Sequence, residues 1–144
     1  MRCEDVIGRE LQFVRPEDHV HLAARKMRDA NVGLIPVCDD DHVLVGVITD
    51  RDLALRVLAN EWPANTRVAE VMTQDGLVTC RPDDDLASAM RLMRESQVSR
   101  VVVTDADDHA LGVVSYADVV HRAAGSDTAE LMRDVTEREI ASPP

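Results

Sequence analysis

Aromatic residues are nearly absent: Phe13, Trp62 and Tyr116 are the whole complement, 2% of 144 residues against a hydrophobic fraction of 45%. A core must then be filled by Val, Leu, Ile, Ala and Met, which favours layers of sheet and helix over a sandwich rich in Trp and Tyr. Cysteine is scarce and odd in number. Cys3, Cys38 and Cys80 make no C-x-x-C pair, which argues against a disulfide framework and a zinc ribbon, and they read as small apolar residues. No apolar run approaches the ~20 residues of a membrane span, and the opening MRCEDVIGRE lacks the apolar stretch of a secretory signal. The expected location is cytoplasmic. Positive charge is in deficit, with 16 Lys and Arg against 27 Asp and Glu and a net charge of −11. That field repels a phosphate backbone or an anionic lipid surface, so neither nucleic acid nor membrane is an expected partner, and a nucleotide would need a local basic pocket.

Catalytic signatures are missing too. There is no G-x-S-x-G, Walker loop or G-x-G-x-x-G, so no enzyme is expected. The five histidines have no metal-ligand spacing, and the acidic runs 39–42 and 105–109 lack the Gly and terminal Glu of a calcium loop. They read as tight acidic turns, with no metal site.

What is present is a duplication. GVITDRD at residues 46–52 returns 66 residues later as GVVSYAD at 112–118, and residues 13–58 align with 79–124 without a gap. Identities include Arg15/Arg81, Pro16/Pro82, Met27/Met93, Gly46/Gly112, Asp52/Asp118 and Arg56/Arg122. A repeat of this length settles the organisation before any motif does. Each copy predicts a short strand (11–14; 77–80) and a turn opened by Arg-Pro. A helix follows, with Val20, Ala23, Ala24 and Met27, or Leu86, Ala89, Met90 and Met93, on one face. Two further strands (34–38 and 43–48; 101–104 and 110–114) and a second helix (51–58; 117–123) complete the unit. The expected fold class is α/β of the α+β type: two β-α-β-β-α repeats, each leaving a bare sheet face that the other covers, packed as one pseudo-symmetric module. The division predicted is 1–61, 66–125, and an amphipathic C-terminal helix and tail over 126–144, with its helix near 126–139.

Thr49 and Ser115 stand where a strand turns into a helix, with Asp52 and Asp118 three residues on. A free helix N-terminus and a hydroxyl suit a phosphate, and the carboxylates suit the two vicinal hydroxyls of a ribose. The same T/S-x-x-D spacing is also a capping box that needs no ligand.

With the doubled G-h-h-T/S-x-x-D (h, apolar), VGLIPV at 32–37, its counterpart VSRVVV at 98–103, and the lead-in VAEVMT at 68–73, the chain resembles a tandem pair of cystathionine β-synthase (CBS) domains, a Bateman module, over residues 3–124. The resemblance implies a regulatory module that binds adenosine-containing ligands, AMP, ADP, ATP, S-adenosylmethionine or a dinucleotide, in two clefts between the repeats. It implies no required cofactor, a homodimer, and an unidentified regulated protein as partner. Carried over by position, one cleft joins Thr49 and Asp52 to Val78, Thr79, Cys80, Ser99, Arg100 and Val101. The other joins Ser115, Tyr116 and Asp118 to Gln12, Phe13, Val14, Gly33, Leu34, Ile35 and Pro36. Arg100 offers a guanidinium for phosphate, so AMP, ADP or ATP is expected in the first cleft. Phe13 and Tyr116 either stack on an adenine in the second or fill it. Val102 stands where the family has Pro, so the backbone there is expected to be set differently.

Overall fold

The computed structural model describes residues 1–8 and 10–122. The helix expected over 126–139 and the tail to 144 lie outside the described residues. Each half is a helix, a hairpin and a second helix: α1 (Val20–Ala30), β1 (Leu34–Cys38), β2 (Leu44–Thr49) and α2 (Asp50–Asp52), then β3 (Thr79–Cys80), α3 (Leu86–Ser96), β4 (Arg100–Thr104), β5 (Ala110–Ser115) and α4 (Tyr116–Arg122). The α/β class expected for two repeats is the one observed. No helix among the described residues is long and apolar enough to cross a membrane.

The apolar spacing decides which faces are buried. α1 buries Val20, Ala23 and Met27, and α3 buries Leu86, Ala89 and Met93, the stripes read from the sequence. Both helices stop at a left-handed residue, Asn31 (φ 54°) and Gln97 (φ 56°), whose N–H caps the last carbonyls. The hairpins pair antiparallel, Leu34 with Thr49 and Arg100 with Ser115, each with one irregularity before the turn. Their acidic ends meet: Val43 bridges His109, and Leu44 N–H donates to the Asp108 carbonyl at 2.9 Å. The second helix of the first half, expected as α over 51–58, is α only for Asp50–Asp52 and continues as a π-helix, Leu53–Leu58.

The first strand of each copy shows what one residue does. Residues 77–80 yield β3, parallel to β4, because the Val102 N–H donates to the Val78 carbonyl at 3.2 Å. The repeat position of Val102 is Pro36, which has no N–H, so the Gln12 carbonyl finds no ladder donor there. Residues 11–14, expected as a strand, therefore reduce to a single bridge at Val14, bonded to the Pro36 carbonyl and the Cys38 N–H.

The lead-ins are exchanged between the halves. A 3-10 turn at Val68–Glu70 packs on the first half, with Val68 N–H on the Asp18 carbonyl (2.8 Å) and Ala69 N–H on that of Pro16 (2.8 Å). Its counterpart at Cys3–Asp5 packs on the second half, with Cys3 N–H on the Asp84 carbonyl and Glu4 N–H on that of Pro82, both 2.9 Å. Val68, Val71 and Met72 thus join the core of Ile35, Val37 and Ile48, while Cys3 and Val6 join that of Val101, Val103 and Val114. A third cluster, Cys38, Val102 and Ala110, draws on both halves. Each core is incomplete without chain from across the repeat boundary, so the two halves form one cooperative unit.

Candidate ligand-binding cleft

At the N-terminal ends of β1 and β4 the repeat brings equivalent residues face to face. Asp50 N–H donates to the Gly33 carbonyl (3.0 Å), and Tyr116 N–H to that of Ser99 (2.8 Å). A Cβ on Gly33 would lie 2.9 Å from Asp50 Oδ2 and 3.0 Å from Arg100 Nη2. Only a glycine lets both charged side chains close over the backbone there. A cavity of about 960 Å³ opens at this point, lined by three pairs of repeat partners, Gly33 and Ser99, Leu34 and Arg100, Asp50 and Tyr116. It therefore lies on the pseudo-two-fold axis. It then extends to one side, along Gln12, Pro36, Ser115, Asp118 and Arg122, with Val6, Gly8 and Glu10 closing it from the exchanged N-terminal segment. The volume is at the upper end of the range for small-molecule sites.

The two T/S-x-x-D motifs are both capping boxes, yet they differ in what is left over. Thr49 N–H donates to Asp52 Oδ2 (3.0 Å) and Asp52 N–H to Thr49 Oγ1 (3.1 Å). Asp52 is only 9% exposed, and its Oδ1 lies 3.7 Å from Arg56 Nε. Arg56 is drawn inward because its Nη1 donates to the Val71 carbonyl (2.8 Å) of the exchanged lead-in. Asp118 makes the same cap, Ser115 N–H to Oδ2 at 3.2 Å and its own N–H to Ser115 Oγ at 3.0 Å, and is exposed to the cavity. Arg122, the repeat partner of Arg56, lines the cavity and forms no such bond among the described residues.

Arg100, which the sequence groups with Thr49 and Asp52, sits on the axis and in the cavity with Ser115 and Asp118; Ser99 goes with it. Thr49, Asp52, Val78, Thr79, Cys80 and Val101 do not line it, and Cys80 and Val101 are buried in the core. Of the other group, Gln12, Gly33, Leu34, Pro36, Ser115, Tyr116 and Asp118 come together, while Val14 and Ile35 face inward. Phe13 does not reach the cavity: its ring packs edge-on to His42 (centroids 5.3 Å apart) with Lys26 Nζ 5.7 Å from its centroid, and Lys26 donates to its carbonyl. Arg122 is legible in retrospect as the echo of Arg56, one turn after the Asp. Val6, Gly8 and Glu10 reach the cavity through lead-in exchange, which no local pattern signals.

The cavity holds two guanidiniums, Arg100 and Arg122, against three carboxylates, Glu10, Asp50 and Asp118. The basic pair supplies the local positive charge that an anion needs in this acidic chain, and the carboxylates supply hydrogen-bond acceptors. Burial pushes the Cys80 thiol up to about 12 and that of Cys38 to about 11, so neither is a nucleophile in this state. Elsewhere, Asp105, Asp107 and His109 bring three possible ligand atoms within 4.8 Å of one another. Asp105 Oδ1 there already accepts the Asp107 and His109 N–H groups at 2.9 Å each.

A profile of the CBS domain matches residues 3–59 and again 68–125. YlbB of Bacillus subtilis (strain 168) is 37% identical over 119 residues, which is 82% of this chain and 79% of YlbB. Among solved structures, CBSX2 in complex with AMP matches with a TM-score of 0.70 at 29% identity, over 85% of this chain and 95% of that one. Hypoxic Response Protein I with two coordinated zinc ions matches with a TM-score of 0.74 at 27% identity, over 84% and 98%.

Proposed function

This chain belongs to the CBS domain family, with two such domains in tandem, and from that premise we propose that its Ser115–Asp118 cleft binds an adenine nucleotide and passes the change to a regulated protein. The observation that carries the proposal is the convergence of Arg100 with Ser115 and Asp118 in one cavity built from both halves. Arg100 takes the phosphate and Asp118 the ribose hydroxyls, while Leu34, Pro36 and Tyr116 hold the base. The AMP bound by CBSX2, a relative at 29% identity, supports this class of ligand. A ligand held between the halves stabilises the arrangement of β1 against β4 that fits it best, and that unequal affinity is the whole of the signal. The module turns nothing over. A homodimer completes the reading, and Leu55, Leu58 and Trp62, exposed on one stretch of chain after α2, are apolar side chains that a second copy would cover. Sedimentation velocity checks it: a monomer at micromolar concentration refutes the dimer.

Calorimetric titration with AMP, ADP, ATP, S-adenosylmethionine and NADH tests the nucleotide reading. One equivalent of an adenine nucleotide is expected to bind and to be recovered unchanged. Arg100→Ala is expected to weaken phosphate-bearing ligands about 10- to 100-fold, the worth of a charge-assisted hydrogen bond, and adenosine far less. No heat and no thermal shift with any of the five refutes the proposal and leaves a ligand-free adaptor.

A further inference from the structure

Cys3 and Cys80 are 77 residues apart in sequence, yet their Sγ atoms lie 3.5 Å apart, 0% and 5% exposed. Only the exchange of lead-ins brings them together: Cys3 opens the N-terminal 3-10 turn and Cys80 ends β3 of the second half. The first half provides an internal control. The repeat position of Cys80 is Val14, and the residue opening the other 3-10 turn is Val68; both are buried in one core. Packing at this junction is thus met by two valines in one half and by two thiols in the other. Cys38, the remaining cysteine, is buried in the separate cluster with Val102 and Ala110.

We propose that Cys3 and Cys80 are a reversible disulfide site that staples the N-terminal segment to the second half under oxidation by a low-molecular-weight disulfide. A bond requires the sulfurs to close by about 1.5 Å, to roughly 2.05 Å, a change within reach of a side-chain rotation and a small shift of the terminal turn. Burial raises both thiols, that of Cys80 to about 12, so the closed form is inert. Access comes from local opening of the segment. The segment is held by three backbone bonds to the second half, Cys3 N–H to Asp84, Glu4 N–H to Pro82 and Leu86 N–H to Met1, and it opens as a local unit, withdrawing Cys3 and Val6 from the core while β4 and β5 stay paired. The Cys3 thiolate then attacks one sulfur of the small disulfide and expels one thiolate. While the segment is still open, Cys80 gives up its proton to solvent, attacks Cys3 of the mixed disulfide and expels the second, and the linked segment then recloses. Two protein thiols and one small disulfide become one protein disulfide and two small thiols. Because Val6 and Gly8 of the same segment line the cleft, the staple would fix one wall of it. The site stands independently of which ligand the cleft takes.

The full chain, incubated with oxidised glutathione and mapped without reduction by mass spectrometry, is expected to give a linked peptide pair containing Cys3 and Cys80, with Cys38 recovered as a free thiol. Its Tm is expected to rise by about 10 °C, as for a disulfide closing a long loop, and to return on adding dithiothreitol. Cys3→Val and Cys80→Val copy the first half, so they should fold and show no such shift. Recovery of Cys3 and Cys80 only as free thiols, as separate glutathione adducts or in chain-to-chain links overturns the proposal, as does an equal Tm shift in either valine variant.

Discussion

Replacing Asp52 and Asp118 by alanine, one at a time, separates a cap from a binding group. The carboxylate of Asp52 holds the Thr49 N–H at 3.0 Å in a site 9% exposed, and Arg56 lies 3.7 Å away. Its removal loses half of the capping box and leaves a part-buried donor without an acceptor, together about 1.5–2.5 kcal/mol, with the half-exposed Arg56 pair adding at most a few tenths. At roughly 3–4 °C per kcal/mol for a chain of this size, Tm should fall about 5–10 °C. Asp118 and its cap are exposed, so water can replace the lost acceptor, and Asp118→Ala should cost stability only about 0.5–1 kcal/mol. Its effect belongs to the ligand. Losing a charge-assisted contact to the ribose should raise the Kd for AMP about 10- to 100-fold, and Asp118→Glu, which can still cap, should lose the ligand as well. Urea unfolding followed by circular dichroism reads the first quantity, and calorimetry the second. Asp52→Ala weakening AMP as much as Asp118→Ala would show that the Thr49 side is a nucleotide site too. An unchanged Kd in Asp118→Ala would refute the ribose assignment.

The glycines give a graded series. Gly33→Ala meets only the far ends of Asp50 and Arg100, so stability should change by less than about 0.5 kcal/mol while nucleotide affinity falls as Arg100 is displaced. Gly46→Ala instead drives its Cβ to 3.0 Å from the Thr73 backbone carbonyl, and Gly112→Ala to 2.8 Å from Ile7 Cβ. Both should cost about 1–3 kcal/mol in chemical denaturation by prising a lead-in off its sheet. His109 Nδ1 lies 2.9 Å from Asp105 Oδ2, and this hydrogen bond raises the His109 pKa above its usual 6.5, while the His109 backbone N–H on Asp105 Oδ1, and after it the same ring contact, lower that of Asp105. The raised histidine stabilises the turn fully below pH 6.5 and loses that contribution as pH rises through its folded pKa. The lowered carboxylate keeps its contribution until pH falls through its own folded value. An NMR titration should place the His109 midpoint above 6.5, and His109→Gln should abolish the alkaline loss; a midpoint at 6.5 or lower refutes the coupling.

Most of the fold was legible because it rests on periodicities. The stripe Val20, Ala23, Met27 and its echo placed α1 and α3, and the β-rich runs around GVIT and GVVS placed both hairpins. What escaped turned on single backbone groups or on distant chain. Whether 11–14 forms a strand depends on one N–H that Pro36 lacks, and Val102, noted as a departure from the family, is the residue that restores the bond in the other half. The π-helical turn rests on i to i+5 bonds such as Ala59 N–H to Ala54, in a run that reads equally well as α. Phe13 was grouped with the cleft from its position, but Lys26 and His42 occupy it instead.

The motif's duplication suggested two clefts of different chemistry, and the structure locates the difference in the surroundings of the motif. Arg100 lies on the pseudo-axis, so it is adjacent to both T/S-x-x-D turns and cannot by itself choose between them. What chooses is the state of each aspartate. On the first side the lead-in carbonyl of Val71 draws Arg56 inward, and Arg56 closes over Asp52. On the second side Ile7 occupies the place of Met72 against the sheet glycine, and Arg122 is left to the cavity beside Asp118. At the axis Asp50 and its repeat partner Tyr116 both line the cavity, so an anion approaching Arg100 meets a carboxylate from the first half and a phenol ring from the second. Each of these contrasts favours the Ser115 side. Arg56→Ala is therefore the substitution that should reveal a second site: it uncovers Asp52 without touching Arg100, and a second equivalent of nucleotide in calorimetry is its expected sign, with unchanged stoichiometry the result that would refute this account of the asymmetry.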